Sequence, residues 1–321
     1  MLKVLGVDLG GTYIKAAVVD EKGDIFWKKT VETPVGYEAV AETIAQLALE
    51  VAEKYEIAGV GIGTPGSIDH EKGVVRYSPN LKWRDVPFAD LVTKKSGCKT
   101  YIENDANAFV LGEKWFGAAR GCEHVVALTF GTGIGGGVIS HGRLITGHMG
   151  IGAELGHIIV EPYGPLCGCG SRGCLESIAS ASAVARLARQ WLVKYPGSIM
   201  LKMVEDEERI DARVVFEAYK KGDLLATIVV EYVSDAIARA VGAYVQFFNP
   251  EVIVFGGGMA KSADMFIPLV ERRAPLYMMP SFIGTYRIVK SELLEDAGIK
   301  GAASIVFENL KYGGRGKDGT E

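Results

Sequence analysis

The chain has 321 residues, 48% of them apolar and 23% charged, which is length for about two domains and a composition that excludes a disordered or fibrous protein. Its net charge of −4 lacks the basic excess that binding to nucleic acid or to an acidic membrane surface calls for. Two features of the composition require a physical reason: 41 glycines, well above the usual ~7%, and five cysteines, three of them between 167 and 174.

Residues 1–7 are too few for a signal-peptide core and include Lys3, so a cytoplasmic location is expected. The runs Val4–Asp8, Tyr13–Val19 and Ile25–Val31, broken at Gly10-Gly11 and at Glu21-Lys22-Gly23, predict a three-strand antiparallel meander. Apolar residues at Ile44, Leu47, Ala48, Val51 and Tyr55 have helical spacing within 37–56. A strand follows at Ala58–Gly63 and ends in Thr64-Pro65-Gly66. After a helix-like stretch, a strand at Thr100–Glu103 opens at Asn104-Asp105 into a helix over 106–116.

From Val125 the pattern starts again. Val125–Phe130, Gly135–Ser140 and Arg143–Thr146 predict a second meander, and helices are expected near 175–193, 212–220 and 224–248. The last is very apolar, but it carries Glu231, Asp235 and Arg239, so it predicts a buried helix rather than a membrane span. A strand at Val252–Phe255, a helix near 262–273, a strand near 286–290 and a helix near 301–310 complete the series. The repeated order predicts an α/β protein of two similar βββαβα lobes with a cleft between them. The expected lobes are 1–116, completed by a helix at 300–312, and 117–299, which carries the cysteine loop; 313–321 is expected to be disordered.

Three groups of residues carry chemistry. Asp8, Gly10, Gly11 and Thr12 make a tight turn whose backbone N–H groups can meet phosphate oxygens, with Asp8 suited to Mg²⁺, although a plain hairpin accounts for the turn equally well. Residues 131–137, with Thr132 and Gly133, repeat that chemistry in the second half. Their G-x-G-x-x-G spacing is followed by a strand instead of a helix, which excludes a dinucleotide fingerprint. Gly256, Gly257 and Gly258 can pass beneath a flat adenine or simply turn a strand into a helix. His157, Cys167, Cys169 and Cys174 are a Cys₃His set with glycines between them, which fits a closed, structural Zn²⁺ site. Cys98 and Cys122 are isolated and read as small buried residues. Finally, Asn104, Asp105, Glu154, His157 and Glu176 are a set of acceptors suited to sugar hydroxyls, although Asp105 also reads as a helix cap.

Taken together, Asp8–Thr12, Gly63-Thr64-Pro65-Gly66, Asn104-Asp105, 131–137, Glu154-Leu155-Gly156-His157 and the run from Cys167 to Glu176 resemble the ROK family of sugar kinases and repressors, within the actin-like ATPase (ribonuclease H-like) superfamily, and most of all its bacterial glucokinases. The resemblance spans about residues 3–312. It implies a two-lobed α/β kinase that transfers the γ-phosphoryl group of ATP to the 6-hydroxyl of glucose, with Asp105 as general base. It further implies Gly66, Asn80, Asn104, Glu154, His157 and Glu176 as sugar contacts, and Thr12, Thr132 and Gly133 as phosphate contacts. His157 would touch both sugar and zinc. Members that act as repressors carry a DNA-binding segment ahead of the first phosphate turn, and only seven residues precede Asp8 here, so a kinase is expected rather than a regulator. Another hexose, or polyphosphate as donor, stays open, and a dimer or tetramer is the expected assembly.

Overall fold

The computed structural model of the chain describes residues 1–312. The expected disorder at 313–321 falls outside the described residues. Strands β1 (Lys3–Leu9), β2 (Tyr13–Asp20) and β3 (Ile25–Glu32) form the antiparallel meander that their alternation predicted. Helix α1 (Tyr37–Ala52) buries Val40, Ile44, Leu47, Ala48 and Val51, one stripe at helical spacing. The chain then returns as β4 (Val60–Thr64), parallel to β1 with Asp8 opposite Gly63.

The region read as helix-like after Gly66 is different. It holds a small antiparallel sheet of β5 (Ser67–Asp69), β6 (Val74–Ser78) and β7 (Trp83–Val86), followed by one short helix, α2 (Phe88–Ser96). These strands are only three to five residues long, too short for alternation to be legible. Lys82 and Asp85 also bend the backbone into positive φ, which no motif announces. Strand β8 (Thr100–Asn104) adds to β4 in parallel and leads into α3 (Asp105–Phe116). The first large sheet therefore has the order β3-β2-β1-β4-β8.

In the second half, β9 (Val125–Phe130), β10 (Ile134–Ser140) and β11 (Arg143–Leu144) form the second meander. Helices follow as α4 (Leu175–Ala179), α5 (Ala181–Leu192), α6 (Ala212–Lys220) and α7 (Leu224–Phe248). The single helix expected near 175–193 is divided at Ser180, whose Oγ accepts the Ala183 N–H and starts α5 anew. Next come β12 (Val252–Gly256), α8 (Ala263–Arg273), β13 (Arg287–Lys290) and α9 (Ala297–Tyr312). This sheet has the order β11-β10-β9-β12-β13, the first sheet's topology strand for strand. No helix among the described residues is long and apolar enough to cross a membrane.

Two compact units result. Among the described residues, one holds 1–121, 143–153 and 292–312; the other holds 122–142 and 154–291. In the first, α9 lies directly on the sheet: a Cβ on Gly6 would collide with the carbonyl of Ile299, and one on Gly61 with that of Ala302. Ile299, Ala303, Val306 and Phe307 are buried there against Val4, Ala17 and Val19.

Candidate active site

In the first unit the chemistry gathers at the C-terminal ends of β1, β4 and β8, where parallel strands open toward ligands in α/β sheets. The Asp8 turn is pinned from β3's end: Thr33 donates its Oγ1–H to the Gly10 carbonyl at 2.7 Å and its N–H to the Thr12 carbonyl at 2.9 Å. Gly11 and Thr12 stay exposed. Asn104 caps α3, its Oδ1 accepting the N–H groups of Ala106 (2.9 Å) and Asn107 (3.2 Å) while its Nδ2 donates to the Gly66 carbonyl at 3.0 Å. Gly66 sits at φ 118°, where a side chain would also strike the Tyr77 carbonyl. That approach brings the β6 end, with exposed Asn80 just beyond it, to the same place as Asn104.

Asp105 follows the cap, and its Oδ1 accepts the Ala106 N–H at 2.9 Å. Solvent reaches Asp105, yet the protein around it desolvates the carboxyl and raises its pKa above the ordinary carboxylate range. Asp8 is raised by the same cause, with Lys15 opposing and the charge of Asp105 adding to the rise. Two carboxylates that feel each other are a natural place for a divalent cation or a proton in transfer.

In the second unit the glycine turn 131–133 is closed by the Gly131 N–H donating to the Gly133 carbonyl at 2.9 Å. Gly257 crosses directly over the backbone of Phe130, at φ 82°, and so sets Gly256–Gly258 beside that turn. Glu176, in the first turn of α4, reaches it from the other side: its Oε2 accepts the Ile134 N–H at 2.9 Å, and its Oε1 lies 3.6 Å from the Cys167 sulfur.

His157 and the three cysteines do come together, with all four ligand atoms within 4.8 Å of one another. Cys167 Sγ stands 3.6 Å from His157 Nδ1, and Cys169 Sγ 3.6 Å from Cys174 Sγ. Two sulfurs each about 2.3 Å from a tetrahedral zinc stand about 3.8 Å apart, so the donor set fits such an ion in number, type and spacing. The loop is built for it locally: Cys167 N–H donates to the Ser171 carbonyl at 2.7 Å, and Gly170 N–H to the Cys167 carbonyl at 3.0 Å. Glu154 precedes and His157 ends the 3-10 turn Leu155–His157, which is held by Tyr244. The Tyr244 hydroxyl, fully buried on α7, donates to the Leu155 carbonyl at 2.5 Å.

The ROK family model matches residues 4–309. The chain belongs to the ROK family. It is 52% identical over 312 residues to a glucokinase of Thermotoga maritima, covering 96% of this chain and 98% of that one. Among solved structures it is similar to a ROK family glucokinase from Streptomyces griseus in complex with glucose and AMPPNP, with a TM-score of 0.81, 33% identity, and 95% and 99% of the two chains covered. A ROK hexokinase from Thermus thermophilus gives a TM-score of 0.82 at 35% identity, covering 97% and 99%. The two-lobe actin-like α/β fold is therefore shared with sugar kinases of this family.

Two residues hydrogen-bonded to the candidate site's segments were not picked out from the sequence. Tyr244 lies in the most apolar helix and reads as core; its single polar atom gave no signal. Glu103 did carry one, an acidic residue in a strand whose neighbours are buried, immediately before the Asn104-Asp105 pair.

Proposed function

We propose that this ROK protein is an ATP-dependent glucokinase that phosphorylates the 6-hydroxyl of glucose. The observation that carries the reading is Asp105, a solvent-reachable carboxylate with a raised pKa, set by the Asn104 cap beside Asp8 and the Gly10–Thr12 turn. The 52% identity to a protein named glucokinase supports glucose as the substrate.

In the reaction the sugar's 6-oxygen attacks the γ-phosphorus, the bond from that phosphorus to the bridging oxygen breaks, and ADP leaves with the electron pair. The hydroxyl proton passes to Asp105. A loose transition state asks more for alignment than for a strong base, and a carboxyl whose pKa lies above the ordinary range accepts a proton more readily than a free aspartate. Asn104, held through Gly66, together with Asn80, Glu154, His157 and Glu176, would bind the sugar hydroxyls. Thr12, Thr132, Gly133 and their neighbouring backbone N–H groups would take phosphate oxygens, and Gly256–Gly258 the adenine. Mg²⁺ near Asp8 would neutralise phosphate charge. Zn²⁺ on His157, Cys167, Cys169 and Cys174 would lock the His157 ring through Nδ1, which leaves Nε2 for a sugar hydroxyl.

A coupled assay with a panel of hexoses and with ATP or polyphosphate tests the reading. Glucose with ATP should give the highest kcat/KM; a tenfold preference for another hexose or donor would replace that part of the assignment. Metal analysis should find one zinc per chain, and a content near zero overturns the zinc site.

A further inference from the structure

The carboxylate of Glu103 is buried, one residue before the Asn104-Asp105 pair, and nothing in the phosphoryl-transfer scheme uses it. Strand β8 buries both Ile102 and Glu103, so each face of the strand is covered, and an unpaired charge placed there would be costly. Glu103 is not unpaired. Its Oε1 accepts the Asn104 N–H at 2.8 Å and the Asn107 Nδ2–H at 3.1 Å, and its Oε2 lies 3.8 Å from Nδ1 of the half-exposed His70. Burial raises its pKa, with His70 the main opposing influence.

These contacts form one closed set with the helix cap. Asn107 is itself buried, gives its side-chain N–H to Glu103 and gives its backbone N–H to Asn104 Oδ1. Asn104 is held at its backbone by Glu103 and at its side chain by Gly66. Asp105 therefore hangs between residues fixed on both sides. We propose that Glu103 is a positioning residue for phosphoryl transfer: by holding the Asn104 backbone and the Asn107 side chain, it fixes the direction in which the first turn of α3 presents the Asp105 carboxylate. This rests on Asp105 being the base. It matters because alignment dominates such reactions, where a misplacement of about 1 Å can cost on the order of 10²-fold.

Glu103→Gln and Glu103→Asp separate reach from charge. Glutamine keeps an acceptor at the same distance and removes the charge, whereas aspartate keeps the charge and withdraws the oxygen from both N–H groups by about 1.5 Å, one C–C bond. Steady-state kinetics with glucose and ATP should show Glu103→Gln retaining kcat within about threefold and Glu103→Asp losing at least about tenfold in kcat, with a smaller change in the KM for glucose. The reverse order, or a Glu103→Asp protein that melts earlier yet turns over at the wild-type kcat, overturns the proposal. Asp105→Asn run alongside keeps the two claims apart. If Asp105→Asn turns over normally, the base assignment fails. If Asp105→Asn is inactive while both Glu103 variants match wild type, only the positioning role fails.

Discussion

The two units carry the same sheet topology and hold their chemical groups by opposite means. In the first, Asn104, Asp105, Gly66 and the Asp8 turn are fixed by hydrogen bonds from a helix cap, a strand end and Thr33. In the second, Glu154 and His157 lie at a three-residue 3-10 turn and Glu176 on a five-residue helix, and order comes from a cluster of His and Cys atoms placed as metal ligands would be, a buried tyrosine hydroxyl and close backbone packing. A helix N-terminus can orient a carboxylate unaided. An irregular loop has no such internal ladder and needs cross-links.

The largest effect expected from breaking that contrast is Asp105→Asn, which should lower kcat by about 10² to 10⁴, the range for losing a general base. It also has an opposite effect on stability. Desolvation raises the folded pKa of Asp105 above its unfolded value near 3.9. Between those two pKa values the native state holds the extra proton, so wild-type stability falls as pH rises through that window. Asp105→Asn should therefore melt higher than wild type at neutral pH, and the advantage should vanish below about pH 3.9. A lower melting temperature at pH 7 would contradict the desolvated carboxylate.

On the other side of the contrast, Cys174→Ser should release zinc and weaken glucose binding by at least about tenfold, the lower end for disturbing a metal site. Calorimetry with glucose, alongside metal analysis, checks this. The Asp105 region belongs to the other unit, so unchanged glucose affinity in a zinc-free variant would show that the sugar ligands proposed for the second unit do not need the cross-link. Gly156→Ala comes next. Its Cβ would meet the Ile134 carbonyl, so the turn carrying His157 must lift from β10, at about 1–3 kcal/mol, read as a fall in denaturant midpoint. The smallest effect is Tyr244→Phe, which removes one hydroxyl and leaves the Leu155 carbonyl buried without it. A loss of about 1 kcal/mol is expected, with a rise in KM for glucose but little change in kcat.

Much of this was legible in the sequence where local chemistry repeats. Both meanders and the Cys₃His grouping stand out because each is a short local pattern that the fold keeps, whereas the glycine turns mark where the backbone bends without saying what, if anything, it binds. The sheet β5-β6-β7 was read as helix-like because its strands are too short to show alternation, and the positive φ at Lys82 before β7 and at Asp85 within it has no glycine to announce it. Glu176 shows a different gap. Its motif marks it as a sugar ligand, but spacing says nothing about the Ile134 N–H, 42 positions away, that its carboxylate also accepts. Tyr244 and Leu155 meet only through the tertiary fold, so nothing local to either predicts their hydrogen bond.

Helix α9 lies on β1 and β4 so closely that Gly6 and Gly61 have no room for a side chain, yet it comes nearly a whole chain length after β1. During synthesis the first unit's strands emerge early, and the part of the sheet that α9 covers, beside α3, stays bare until α9 has been made. By then every element of the second unit has been translated. The part of the protein that begins first is thus the last to be completed, and its apolar face is the surface that a nascent chain must keep from misassembly longest.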